Sequence, residues 1–251
     1  MRSEEKFLMP ARRRADVLLV ERGLFESRAR AQAAIAAGLV TANDVVVAKP
    51  SAEIPTDAVL HATAPHPWVS RGGVKLADAL DRAGTSVKGR IALDVGASTG
   101  GFSEVLLTRG ARLVYAVEVG HSQLHARLRG RADLVLFEHT DIRDLDPARL
   151  TETPDLIVID VSFISLKHVL PAALNLAAAH AQVVALIKPQ FEASPRNVKK
   201  GIVRDPAVHA AVCDEIAAFV RQLGCTVTAS FPSAIAGGDG NREFFIAAQR
   251  D

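Results

Sequence analysis

Four polar side chains interrupt otherwise apolar runs in this sequence: Lys75, Asp160, Lys188 and Glu243. Lys75 lies in SRGGVKL, Asp160 closes LIVID, Lys188 closes VVALIK, and Glu243 precedes FFIAA. Two amines and two carboxylates gathered in one place titrate as a coupled network, not as four separate groups. Such a set can activate a weak oxygen nucleophile such as a ribose hydroxyl. A lysine accepts the proton only as a neutral amine, far from its ordinary pKa of about 10.4. Burial and a neighbouring ammonium lower that value, and adjacent carboxylates raise it. Lys188 is the expected base, with Lys75, Asp160 and Glu243 orienting it and the acceptor. Each residue alone also fits an ordinary structural role: a surface helix lysine, a solvated strand start, an ion pair at a sheet edge.

A donor must lie opposite that nucleophile, and a second stretch of the chain points to a nucleotide-like one. The stretch IALDVGASTGGFS, Ile91 to Ser103, reads as a strand, a glycine turn and a helix start. Its candidate ligand contacts are Asp94, Gly96, Ser98, Thr99, Gly100, Gly101 and Phe102. It is neither G-x-G-x-x-G nor a loop followed by G-K-[ST], so a phosphate grip is disfavoured. Glu118, twenty-four residues after Asp94, ends the next expected strand. A carboxylate there can accept hydrogen bonds from both ribose hydroxyls of an adenosine. Asp141, after the third strand, can read the adenine amino group. Acidic residues around a glycine loop favour a cationic adenosine cofactor, S-adenosylmethionine. Methyl transfer from a sulfonium is an in-line displacement, so positioning supplies much of its acceleration.

Other acceptors fit less well. Methylation of an exocyclic base amine usually goes with an Asn/Asp-Pro-Pro-aromatic turn, and here the turn is Asp160-Val161-Ser162-Phe163. Methylation at pyrimidine carbon five needs a cysteine nucleophile. Cys213 falls in a predicted helix and Cys225 before a predicted strand, neither at a strand's carboxyl end. Neither cysteine lies in a metal or redox spacing, so no metal is expected.

Elements must carry these residues to one place. Beyond Ser70, seven strands are predicted: 91–95, 113–119, 134–139, 156–161, 183–187, 226–230 and 244–248. Helical stretches, the clearest at 207–223, lie between most of them. The expected fold class is α/β, a mostly parallel Rossmann-like sheet with helices on both faces. Ligands then sit beyond the carboxyl ends of the strands. Before it comes a small α+β unit. ADVLLVERG reads as a helix closed by Gly23, Ser27 caps a second helix from Arg28 to Ala37, and a hairpin turns about Asn43-Asp44. The expected layout is a flexible tail at 1–10, a small domain at 11–62, a proline-stiffened linker at 63–69 and the large domain at 70–251.

Composition bounds the class. The chain has 251 residues, 49% of them apolar, and a net charge of +2, enough for one large and one small core. Charges interrupt the start of the chain, so no signal peptide is expected. The weakly polar stretch from His168 to Ile187 reads as a helix and a buried strand, not a membrane span. With two cysteines, reduced thiols and a cytoplasmic location are the default.

In order along the chain, SRGGVKL, DVGASTGGF, YAVEVGHSQL, IDVSFISL, IKPQFE, KKGIVRD and GGDGNREFF resemble the TlyA family of haemolysin and ribosomal-RNA methyltransferase proteins, related to FtsJ-type 2′-O-methyltransferases. Arg14, Asp16, Ser27-Arg28, Ile35, Gly38, Asn43 and Lys49-Pro50 are similar to the S4-like RNA-binding module. The resemblance implies a seven-stranded methyltransferase using S-adenosylmethionine and a Lys-Asp-Lys-Glu tetrad carried by Lys75, Asp160, Lys188 and Glu243. The implied product is 2′-O-methylcytidine in 16S and/or 23S rRNA. Glu118 stands where aspartate is commoner, Asp141 where asparagine is usual, and Asn43-Asp44 in place of Asn-Gly. The alternatives are a membrane-active haemolysin or an RNA-binding protein without catalysis. No obligate protein partner is evident.

Residues 12 to 75 hold nine Lys/Arg against six Asp/Glu. Arg12, Arg14, Arg28, Arg30, Lys49 and Arg71, with Arg13 beside them, are the expected phosphate contacts of the small domain and linker. Arg196, Lys199, Lys200 and Arg204 form a second basic segment. Phosphate contacts position an RNA without reading its sequence. Charge reversal at Arg28 and Arg30 is expected to weaken rRNA binding more than cofactor binding; equal loss of both in parallel titrations would contradict this.

Overall fold

The computed structural model describes residues 10–251. The expected tail therefore lies, but for Pro10, outside the described residues. The chain divides into two units, one ending at Pro67 and one running from Trp68 to Asp251. The expected linker reached Val69. Trp68 and Val69 instead belong to the second unit, because Val69 is buried there and its N–H donates to Glu104 Oε2 at 2.5 Å.

The first unit contains β1 (Arg12–Arg14), α1 (Ala15–Glu21), α2 (Arg28–Ala36), β2 (Val40–Ala42), β3 (Val45–Val46), β4 (Glu53–Pro55) and β5 (Leu60–Ala62). β1 pairs with β4, and β2 lies between β3 and β5, all antiparallel. Leu18, Leu19, Ile35 and Val40 centre its core. Asn43 and Asp44 both take positive φ, 48° and 64°, as a two-residue hairpin turn requires. The Asn43 side chain offsets that strain by accepting Val59 N–H at 2.8 Å.

Asp16 organises the basic face of this unit. Its side chain is fully covered and accepts hydrogen bonds from Arg14 at 3.0 and 3.1 Å, Arg28 at 3.2 and 2.8 Å, and Gln32 at 2.8 Å. Two of the expected phosphate contacts are thus anchored on one carboxylate, with their guanidinium groups still about half exposed. The Arg14 bond, then those from Arg28 and Gln32, hold the Asp16 carboxyl well below the usual carboxylate range, against the opposing effect of burial.

The second unit contains α3 (Arg71–Ala83), β6 (Ile91–Val95), α4 (Gly101–Thr108), β7 (Leu113–Val117), β8 (Leu134–Phe137), β9 (Leu156–Ile159), α5 (Leu166–Asn175), β10 (Gln182–Ile187), α6 (Pro189–Glu192), α7 (Pro206–Gln222), β11 (Cys225–Pro232) and β12 (Phe244–Arg250). Its sheet runs β8-β7-β6-β9-β10-β12-β11. The first five strands are parallel, and β12 runs antiparallel to both neighbours. Alternate residues feed two cores. Leu93, Tyr115, Ile157 and Ala185 face the α5/α7 side; Ala92, Val114, Val158 and Val184 face α3 and α4. All seven expected strands are present. β7, β8 and β9 each end two residues early, because Glu118, His139 and Asp160 leave the ladder. Only short 3₁₀ turns, not helices, connect β7 to β8 and β8 to β9.

A carboxylate with a depressed folded pKa contributes stability that is present above its unfolded value of about 3.9 and is lost as pH falls below it. Acid should therefore weaken the first unit through Asp16. Thermal melts of the full chain across pH 2–6 should show this slope, and Asp16→Asn should flatten it while lowering the melting temperature near neutrality.

Candidate active site

The parallel strands β6, β7, β8, β9 and β10 all end at one rim, so residues just past their ends become neighbours. β12 reaches the same rim from the other direction. An antiparallel strand begins where its parallel neighbours finish. Ile187 pairs with Phe244, which places Lys188, following the one, beside Glu243, preceding the other.

Four sequence-predicted residues meet here as two ion pairs. Lys188 Nζ lies 2.7 Å from Asp160 Oδ1 and donates to Ser162 Oγ at 2.9 Å. Lys75 Nζ lies 2.6 Å from Glu243 Oε2, and both are buried. Lys75 is neither a surface residue nor solvated. It sits one turn into α3 and points into the protein beneath the rim. Gly237 makes room for its partner, since a Cβ at that position would stand 2.6 Å from Glu243 Oε1.

Beside Asp160 opens a cavity of about 370 Å³. Gly96, Ser98, Glu118, Asp141, Asp160, Ser162 and Phe163 are among its walls, which include three carboxylates and no lysine or arginine. Gly96 has φ 84°, and a Cβ there would meet Asp160 O at 2.5 Å, so the loop can run this close only as glycine. Glu118 bridges two loops, accepting Ser98 N–H and Gly120 N–H at 2.8 Å each. Asp141 is committed to Arg143, accepting its backbone N–H at 2.9 Å and pairing with its guanidinium at 2.6 Å. That pairing holds the Asp141 carboxyl below its ordinary value.

The other expected cofactor contacts lie behind the wall. Asp94 is fully buried. Ser103 Oγ donates to its Oδ2 at 2.6 Å, and its Oδ1 has no protein partner. Burial, with smaller contributions from Asp160 and Glu118, pushes its carboxyl up to about 7. Gly100 and Gly101 are buried at the start of α4, and Phe102 stacks on Phe245 in the core. Thr99 accepts His125 N–H through its carbonyl.

Several side chains at the rim carry no sequence signal that singles them out. Ser162 is a second partner of Lys188. Glu192, from the one-turn α6, accepts Ser165 Oγ–H at 2.5 Å and Leu166 N–H at 2.8 Å. It thereby ties the segment after Lys188 to the start of α5, at the far end of the loop bearing Asp160 and Ser162. Phe163 stands 90% exposed with φ 65°, its ring 5.0 Å from that of Phe191. Of the expected RNA contacts, Arg12 donates to Glu53 O and Arg71 to Ala236 O, at 2.5 Å each. Arg30 lies on α2, and Lys49, Lys199 and Lys200 are exposed. Cys213 is in α7 and Cys225 opens β11, and burial raises both thiols, Cys213 to about 11, so neither offers a thiolate at the rim.

The sequence profile of FtsJ-like methyltransferases matches residues 68–250, and that of S4 domains matches residues 13–60. The 16S/23S rRNA (cytidine-2′-O)-methyltransferase TlyA of Mycobacterium tuberculosis is 41% identical over 241 residues, covering 95% of this chain and 90% of the relative. The chain belongs to the TlyA family. Its second unit is an FtsJ-like methyltransferase domain, and its first an S4 domain. Hemolysin A of Brachyspira hyodysenteriae is 37% identical over 92% of this TlyA-family chain and 97% of its own length. The solved structure of a hemolysin-named protein from Streptococcus thermophilus superposes with a TM-score of 0.76 at 41% identity, covering 96% of this chain and 89% of the other. Among the described residues, no helix is long and apolar enough to cross a membrane.

Glu192→Ala leaves Leu166 N–H without its acceptor, at an expected cost of roughly 1–3 kcal/mol. Hydrogen exchange should quicken across residues 161–167 in that variant and stay near wild type in Glu192→Gln, whose amide can still accept; unchanged exchange in both would remove the tie.

Proposed function

We propose that this chain methylates the 2′-hydroxyl of a cytidine in 16S and/or 23S rRNA, with S-adenosylmethionine as donor. The observation that carries the reading is that Asp160 belongs to two places at once. It lines the acidic cavity and it pairs with Lys188, so a donor group and a proton acceptor share a wall. The cavity's composition fits a sulfonium nucleoside: carboxylates for a cation and a ribose, and no basic residue to hold a pyrophosphate. Glu118 would take the cofactor ribose and Gly96 and Ser98 would lie along it, while Asp141, already held by Arg143, is the weaker candidate for the adenine.

When bound, the cofactor supplies an electrophilic methyl group. Lys188 Nζ, having first released its own proton to solvent, would receive the O2′ proton as a neutral amine. Asp160 and Ser162 hold Nζ in place, and the Lys75–Glu243 pair fixes the acceptor side of the rim. Phe163 presents an open ring face at the cavity mouth on which a nucleobase can stack. The S4 domain, with Arg14 and Arg28 held out by Asp16, and the basic segment at 196–204 would grip phosphates. Shape of the folded RNA, more than sequence, would select the site. We place the reaction in the cytoplasm, on ribosomal subunits.

Tritiated-methyl transfer to separated ribosomal subunits, followed by mass spectrometry of the nucleosides, tests the reading. Methyl on ribose oxygen is expected, and Lys188→Ala should cut the rate about 10²–10⁴-fold. Methyl on a base, or full activity in Lys188→Ala, would sink it.

A further inference from the structure

The basic segment after Lys188 folds as a tight hairpin. Lys199 and Ile202 exchange both backbone hydrogen bonds, at 2.9 and 3.1 Å, around a turn in which Lys200 and Gly201 take φ 52° and 76°. Lys199, Lys200 and Arg204 are exposed, as are Arg196 just before the hairpin and Arg242 on the loop beside Glu243. None of these five cations has a carboxylate at ion-pairing distance among the described residues. The nearest acid in sequence, Asp205, is used to cap α7 through Ala207 N–H at 2.9 Å. Unpaired cations clustered on a catalytic unit form a patch for a polyanion.

The hairpin is short and would be loose by itself. One side chain fastens it. Asn241 is 1% exposed; its Oδ1 accepts Val203 N–H at 3.1 Å and its Nδ2 donates to Gly201 O at 2.9 Å. Those two groups flank Ile202 along the backbone, so the carboxamide pairs with the hairpin edge as a neighbouring strand would. Asn241 O also accepts Gly237 N–H at 2.8 Å, closing the loop against which the Glu243 carboxylate rests. Val203 is held a second time, through its carbonyl oxygen, which lies 3.0 Å from His209 Nε2. Asn241 lies two residues from Glu243. The grip and the Lys75–Glu243 pair are thus set at a fixed offset by one buried amide.

We infer that Asn241 is a positioning residue that registers an RNA-phosphate grip, the 199–204 hairpin, to the Glu243 end of the candidate active site. The inference rests on the RNA-methyltransferase reading for the identity of the polyanion. Asn241 makes no contact with RNA; it acts by holding the cations that do.

The salt dependence of RNA binding separates this role from a general loss of structure. Each phosphate contact contributes roughly 0.7–0.9 to the slope of log affinity against log salt. Binding of unmodified 16S and 23S rRNA transcripts would be titrated from 50 to 200 mM salt. The proteins would be wild type, Lys199→Ala/Lys200→Ala, Asn241→Ala and the triple variant. Lys199→Ala/Lys200→Ala should lower the slope by between one and two. Asn241→Ala removes no charge, yet should lower the slope by a similar amount. The triple variant should bind no more weakly than Lys199→Ala/Lys200→Ala. A wild-type slope in Asn241→Ala, or losses that multiply in the triple variant, overturns the inference. If Asn241→Ala does not fold, Asn241→Asp serves: it keeps the acceptor for Val203 N–H, loses the donor to Gly201 O, and should again lower the slope. If the variants show this coupling but the wild type transfers no methyl group, the function reading falls and this one stands. If it methylates RNA while Asn241 leaves the slope untouched, the reverse holds.

Discussion

The reversal of one strand, β12, is what the site depends on. Five parallel strands deliver their carboxyl ends to a rim, and with them Gly96, Glu118, Asp160 and Lys188. A sixth parallel strand could add only another residue that follows its strand. Because β12 runs the other way beside β10, it brings a residue that precedes its strand. Glu243 enters the rim this way, opposite Lys188, and meets Lys75 coming up from α3. Both ion pairs, the buried Lys75–Glu243 and the partly exposed Lys188–Asp160, can then form within one wall of the protein. Removing either member of the Lys75–Glu243 pair would leave a charge in low dielectric without its partner, which is costly. The same contacts that assemble the chemistry therefore hold the rim's geometry.

The rest of the second unit supports that rim from behind. Asp94 and Ser103 lock the strand β6 to the helix α4, so the glycine loop between them has a fixed height. Glu118 joins that loop to the one after β7. Glu192 ties the segment after Lys188 to the start of α5. Each clamp is a carboxylate receiving hydrogen bonds from a different segment. Acidic residues thus serve two ends here: they wall the cavity for a cation, and they staple the loops that form it.

Much of this was legible in the sequence because burial leaves a pattern. Runs such as IALDV, LIVI and VVALI must be buried on both faces, and all seven strands lie where those runs fall. The polar residues at their ends were legible for the same reason, as breaks in a pattern. The strand ends were placed too far along, since Glu118, His139 and Asp160 continue the run in sequence but turn out of the ladder in space. Asp94 borders the glycine loop in the chain, and in space its buried carboxylate is bonded to Ser103 of α4, a contact the sequence does not announce. Trp68 and Val69 followed prolines and looked like linker, and the packing of both and the bond from Val69 to Glu104 assign them to the second unit. Ser162, Glu192 and Asn241 lie within the family motifs, yet nothing in the sequence singles out their roles. Their partners lie 26 to 40 residues away, and a lone polar residue in a loop says nothing about what it reaches.

The strand order also governs when the protein can become itself. β11 precedes β12 in the chain but lies outside it in the sheet, so β11 has no strand to pair with until β12 has been made. Lys75 and Glu243 stand 168 residues apart, and contacts across such a span form late. A chain still emerging from its own synthesis would hold the glycine loop and most of the parallel sheet, with a gap at the edge beside β10. Assembly of the rim waits until Glu243 and β12 have been made, and a product cut short before residue 243 would be a sheet without a finished site.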